Sequence, residues 1–181
     1  MRPVVVIGPP RSGTSVIARL LQEELGVMMD EGPIAKRPQN PDGLYEDKEL
    51  IRINEIAMRG WKPEVENKMN MQWATQFAAF IANRMQRYDR WGFKDPRMVA
   101  LIPWMKQFLI DAIWIVPIRK QKDIAKSLIT KFGMPSAMAR LSVQKSYKLI
   151  KDGLGRCHEI DLTYIRKDND LVCELQEIIN G

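Results

Sequence analysis

Val4-Val5-Val6-Ile7-Gly8-Pro9-Pro10-Arg11-Ser12-Gly13-Thr14-Ser15 is the stretch whose reading decides the fold. An apolar β-branched run leads into a Gly-rich turn. Val16, Ile17, Leu20, Leu21 and Leu25 then recur at helical spacing. This is the layout of a buried strand, an anion-cradling loop and a helix N-terminus. The helix is expected over residues 14–25, with Gly26 as its C-terminal cap. Gly8 and Gly13 are spaced as in the loop that binds nucleoside triphosphates, but that motif next needs Lys, and Thr14 stands there instead. The loop's cation comes three residues earlier, at Arg11. Pro9 and Pro10 lack an N–H, so the usable donors run from Arg11 to Ser15.

Outward from this unit, the chain alternates strands and helices. Residues 46–88 read as mostly helical, with one face marked by Leu50, Ile51, Asn54, Ala57 and Met58. A second face carries Trp73, Phe77, Phe80, Ile81 and Met85, and residues 63–71 link the two. Strands are expected at 90–94, 113–118 and 157–160. Helices are expected at 98–109, 124–132, 136–151 and 171–179, with Ser136 capping the third of these. This order argues for an α/β three-layer sandwich with a short parallel sheet and P-loop nucleotide-hydrolase-like topology, in one domain over 1–181. Residues 27–45 hold Gly32, Pro33, Pro38, Pro41 and Gly43 and read as a long irregular connection. Trp61, Trp73 and Trp104 are expected in the core.

The 181 residues carry 28 Lys or Arg against 22 Asp or Glu, a net +6 that suits an anionic ligand. Two cysteines, Cys157 and Cys173, lack the spacing of a disulfide framework or a zinc site. The apolar runs are too short to cross a bilayer, and Met1-Arg2-Pro3 leads directly into the first strand. The expectation is a cytoplasmic chain with no membrane span, no nucleic-acid partner and no metal.

Parallel α/β sheets bind ligands at the carboxyl ends of their strands. Three polar clusters fall there: Arg11 to Ser15, Lys94-Asp95-Pro96-Arg97, and Arg119 to Ser127. A guanidinium at Arg119 and a hydroxyl at Ser127 together offer an anion site apart from the loop.

Pro10-Arg11-Ser12-Gly13-Thr14-Ser15 resembles the 5′-phosphosulfate loop of sulfotransferases that use 3′-phosphoadenosine 5′-phosphosulfate (PAPS). Arg119-x-x-x-Asp123-x-x-x-Ser127 resembles their 3′-phosphate motif, with the same Arg-to-Ser interval. Trp91-Gly92-Phe93-Lys94-Asp95-Pro96-Arg97 is similar to a Lys-x-Pro-Arg segment of several branches. Asn40-Pro41-Asp42-Gly43-Leu44-Tyr45-Glu46-Asp47 is similar to a Gly-x-x-Glu segment of bacterial and phage-type members, and Glu159-Ile160-Asp161-Leu162 to their late strand-to-helix junction.

The resemblance implies transfer of a sulfuryl group from PAPS to an acceptor hydroxyl or amine. Arg11 would stabilise the leaving group, and Ser12, Gly13, Thr14 and Ser15 would hold the 5′ end. Lys94 and Arg97 would reach the sulfonate, and Arg119 and Ser127 would bind the 3′-phosphate. Glu46 is the favoured base over Asp47 and His158, although acidic residues at 46 and 47 also suit a helix start. Val16 stands where some members stack adenine on Trp, and Lys151-Asp152-Gly153-Leu154-Gly155-Arg156 does not match their late basic loop. The acceptor could be a small molecule, carbohydrate, lipid or peptide, shaped by residues 27–73. The rivals are a nucleotide or small-molecule kinase with a degenerate loop, which the absent Lys argues against, and a non-catalytic nucleotide-binding module.

Overall fold

The computed structural model describes residues 2–31, 43–59, 69–164 and 166–181. Its centre is a four-stranded, all-parallel sheet of β1 (Val4–Val6), β2 (Gly92–Lys94), β3 (Ile113–Ile118) and β4 (His158–Asp161), in the order β2-β1-β3-β4. Val6 registers with Lys94 on one side and Ile115 on the other, which brings the exits of β1 and β2 together. An isolated parallel bridge from Met28 to Trp91 extends the edge beside β2.

The strands bury both faces, which is why β1 and β3 are nearly all apolar. Val4 and Val6 point with Ile113 and Ile115 toward α1 (Thr14–Glu23) and α7 (Asp168–Asn180), meeting Ile17, Leu20, Leu21, Leu171 and Leu175. Val5 and Ile7 point the other way, into a core shared by α2 (Lys48–Met58), α3 (Met71–Arg87), α4 (Ile102–Met105) and α6 (Ser136–Gly153). Trp73, Phe77, Phe80 and Phe93 form its aromatic centre, with Trp73 stacked on Phe77 at 4.7 Å between ring centroids. The three-layer α/β architecture is therefore as the sequence leads one to expect. The remaining helix, α5 (Gln121–Phe132), packs on α6 through a small cluster of its own.

Four local expectations are corrected. The continuous helix over 98–109 is replaced by a 3-10 helix, Pro96–Leu101, and the single turn of α4, because Pro103 has no N–H and crowds the preceding turn. Ser136 is the first residue of α6 rather than its cap, and its hydroxyl accepts from Arg140 Nη2 at 2.8 Å. On α2 the buried face is Leu50, Ile53, Asn54 and Ala57; Ile51 is half-buried and Met58 is exposed. On α3 the exposed Met85 yields its place in the core to Arg84, which is drawn inward by Asp47. Trp73 is fully buried and Trp104 packs against it. Asn40, Pro41, Asp42, Trp61 and most of the 63–71 linker lie outside the described residues.

Candidate functional site

The loop leaves β1 at the point where β3 stops pairing with it, since Ile7 N–H donates to the Ile115 carbonyl and Pro117 then offers no N–H. Ser12 N–H turns back onto the Pro9 carbonyl at 3.1 Å, so this donor is used inside the loop. Arg11 takes φ 73° and Gly13 φ 108°. A Cβ on Gly13 would stand 2.4 Å from Leu162 Cδ1, which would have to shift, and its conformation is one that side chains avoid, so the backbone here favours glycine. A Cβ on Gly8 would meet Ser12 Oγ at 2.7 Å. Gly13 is the N-cap of α1, with no side-chain cap, so the first-turn N–H groups at Thr14 and Ser15 have no intrahelical acceptor. Ser12 is fully buried and its Oγ has no hydrogen-bond partner among the described residues.

Two clusters of predicted residues form around this loop. In the first, Arg11 Nε donates to Ser127 Oγ at 3.0 Å, and Arg119 Nη1 donates to the Arg11 carbonyl at 3.1 Å. Tyr147 fixes the exit of β3, donating to the Pro117 carbonyl at 3.1 Å and accepting from Arg119 N–H at 3.4 Å. The loop and both members of the second anion motif thus converge on residue 11.

In the second cluster, Lys94 at the end of β2 donates to Glu46 Oε1 at 2.5 Å, to the Leu44 carbonyl at 3.1 Å and to Ser15 Oγ at 3.2 Å. Gly43 and Tyr45 both have positive φ, 103° and 50°, and they turn the intervening Leu44 carbonyl onto this ammonium. Lys94 is fully buried. Burial pushes its ammonium below the usual lysine range, and the Glu46 carboxylate opposes that shift.

Adjacent carboxylates have separate fates. Asp47 is the N-cap of α2, accepting from Glu49, Leu50 and Glu31 N–H groups and from Arg84. Glu46 does not cap; it turns onto Lys94. Arg97 bends back on Asp95, with Nε at 2.8 and 3.0 Å from its two oxygens, and lies 3.7 Å from Glu55. His158 opens β4, level with Ile115, three residues before the strand's carboxyl end, and is exposed.

Sequence reasoning missed the chain that holds Asp95. Asn54 Nδ2 donates to Asp95 at 3.0 Å, and Asn54 Oδ1 accepts from the Trp73 indole at 3.1 Å. Its signal was visible, since Asn54 is the one polar residue on an apolar helical face. No group of three or more His, Cys, Asp or Glu able to hold a metal occurs among the described residues. Nor is any helix among them long and apolar enough to cross a membrane.

No curated protein matches the chain in sequence. Among solved structures, the shikimate kinase of Bacteroides thetaiotaomicron aligns over 99% of both chains with a TM-score of 0.62 at 7% identity. The sulfotransferase domain of the Synechococcus PCC 7002 olefin synthase aligns over 99% of this chain and 70% of its own, with a TM-score of 0.56 at 17% identity. Sulfotransferase STF9 of Mycobacterium avium aligns over 99% and 64%, with a TM-score of 0.52 at 16% identity. At such identities these likenesses establish the fold that P-loop kinases and sulfotransferases share. The sequence profile of the Sulfotransferase family matches residues 3–165, and the chain therefore belongs to that family.

Proposed function

We propose that the chain transfers a sulfuryl group from PAPS to an acceptor hydroxyl or amine. The observation that carries this reading is the convergence of Ser127 and Arg119 on Arg11 at 3.0 and 3.1 Å. One cation just ahead of the first turn of α1, bonded to Ser127 on α5 and to Arg119 at the exit of β3, suits a ligand with two separate anionic groups, which PAPS has and ATP lacks in that form. The residues fit the donor's 5′ end: Gly8 and Gly13 leave no side chain in the cradle, and the Thr14 and Ser15 N–H groups complete it.

In the transfer, the acceptor oxygen or nitrogen forms a bond to sulfur while the bridging bond from sulfur to the phosphate oxygen breaks. The electron pair goes to that phosphate oxygen, and the acceptor's proton goes to Glu46. Protonation of Glu46 removes the counterion of Lys94. The buried ammonium is then left, beside Ser15, to face the charge developing on the leaving oxygen. Arg11 shares that stabilisation, and Arg97 adds positive potential near Lys94. The acceptor is a small molecule, carbohydrate, lipid or peptide.

The fold is equally that of small-molecule kinases, so the test must separate donors. Thermal unfolding is measured with 3′-phosphoadenosine 5′-phosphate (PAP) and with ATP plus Mg²⁺, followed by transfer from labelled PAPS to an acceptor panel. Stabilisation by PAP is expected. Stabilisation by ATP plus Mg²⁺ alone would overturn the reading. Glu46→Gln is expected to lower transfer by roughly 10²- to 10⁴-fold while PAP affinity is kept.

A further inference from the structure

The chain's positive charge is concentrated in one helical hairpin. Residues 119–156, which contain α5 and α6, hold ten Lys or Arg and two Asp or Glu, a net +8, whereas the rest of the chain is net −2. No acidic residue occurs between Asp123 and Asp152. Lys126, Lys131, Arg140, Lys145 and Lys148 are all exposed. Arg119 and Ser127 belong to the site described above and play no part in this surface.

Where the two helices join, the hairpin is also apolar on its outside. Ile129, Phe132, Met138 and Leu141 are 36, 58, 61 and 64% exposed, although the inward residues Ile124, Leu128, Ala139 and Val143 are buried. The hairpin's cluster is separate from both sheet-face cores, so these outward side chains serve neither. Large apolar side chains exposed together at the junction of two helices suit an interaction surface. The choice of partner follows from the exposed cations interspersed with them in sequence. The cores of protein–protein interfaces are depleted in Lys, and a nucleic-acid backbone has no use for Met, Leu and Phe between the cations. Large apolar side chains flanked by Lys and Arg with no acidic neighbour match the interface of an anionic bilayer.

We propose that the α5–α6 hairpin docks on anionic lipid surfaces, with Phe132, Met138 and Leu141 entering the boundary between headgroups and acyl chains. Lys126, Lys131, Arg140 and Lys145 lie on the lipid phosphates. This docking does not depend on which donor the site takes.

The test is co-sedimentation of the full chain with vesicles of phosphatidylcholine, and of phosphatidylcholine mixed with phosphatidylglycerol, at low and high salt. Binding is expected only to the mixed vesicles, and it should weaken as salt rises. Each cation near such a surface contributes about fivefold to partitioning, so Lys131→Glu with Arg140→Glu should weaken binding about 25-fold or more. Phe132→Ser with Leu141→Ser should weaken it about tenfold. Failure of the unsubstituted chain to bind mixed vesicles, or equal binding to both kinds, overturns the proposal. So does capture by a soluble polyanion such as heparin without vesicle binding. Dimers in light scattering that the Phe132 and Leu141 substitutions dissociate, again without vesicle binding, would assign the face to a second copy and also overturn it.

Discussion

Arg11 Nε donates to Ser127 Oγ at 3.0 Å, a contact that ties the loop after β1 to α5 across 116 residues of sequence. An anion bound by Ser127 therefore also meets the loop's guanidinium. Losing a hydrogen bond to a charged group costs about 1.5–3 kcal/mol, so Arg119→Ala should weaken PAP binding by roughly 10- to 150-fold in titration calorimetry. Arg11→Ala and Ser127→Ala should couple, with an interaction energy of about 0.5–3 kcal/mol in a double-mutant cycle on PAP affinity. Additive losses would show that the contact has no part in nucleotide binding. Arg11→Ala should also slow transfer more than it weakens PAP binding.

Gly13→Ala separates steric fit from backbone strain. The new Cβ would lie 2.4 Å from Leu162 Cδ1 at φ 108°. Non-Gly residues held in sparsely populated backbone regions cost about 1–3 kcal/mol, and the clash adds to that. Gly13→Ala should therefore unfold at clearly lower urea and lose PAP binding. Adding Leu162→Ala should recover the clash but not the strain. Full recovery in the double variant would mean that the φ requirement is not real.

The fold was legible because its strands are buried on both faces and its helices are amphipathic, so periodicity alone orders the layers. The loop was legible because Gly8 and Gly13 bracket a tight turn directly after a β-branched run. Other features were hidden because they depend on who meets whom. That Glu46 and not Asp47 faces Lys94 depends on the chain direction at Gly43 and Tyr45, whose positive φ values no pattern announces. The apolar stripe that ends at Met85 does not mark Arg84, and the buried carboxylate of Asp47 is what draws it inward. The break in the expected 98–109 helix lay open to reading at Pro103, but a proline is also tolerated in a first helical turn, so its effect depends on where the helix starts.

The Arg84–Asp47 pair should be a stability determinant. Arg84 is 1% exposed, Asp47 is 2% exposed, and the same guanidinium lies 3.4 Å from Glu31. Breaking a buried pair by removing one partner costs about 3–5 kcal/mol, because the other charge stays buried. Arg84→Met should show a loss of this size in urea unfolding. Arg84→Met combined with Asp47→Asn should lose less than the sum of the two single changes. Strict additivity would show that the two side chains act independently in solution.

Lys94 gives a pH dependence whose sign can be worked out. Its ordinary value is 10.5, and burial lowers it in the folded chain despite the opposing pull of Glu46. Between the lowered value and 10.5, the unfolded chain holds a proton that the folded chain has released, so stability rises with pH across that window. Tyr45 does not interfere. Burial and its hydrogen bond to Glu23 push it up to about 12 from 10.0, so its contribution is constant until pH passes 10.0 and declines only above that. Urea midpoints measured from neutral pH to pH 10 should climb in the unsubstituted chain and stay flatter in Lys94→Met. Glu46→Gln removes the group that supports the ammonium, so its climb should begin at lower pH. Parallel curves for the unsubstituted chain and Lys94→Met would show that Lys94 keeps its ordinary affinity for the proton in the folded chain, and that burial beside Glu46 and Ser15 does not weaken its hold on it.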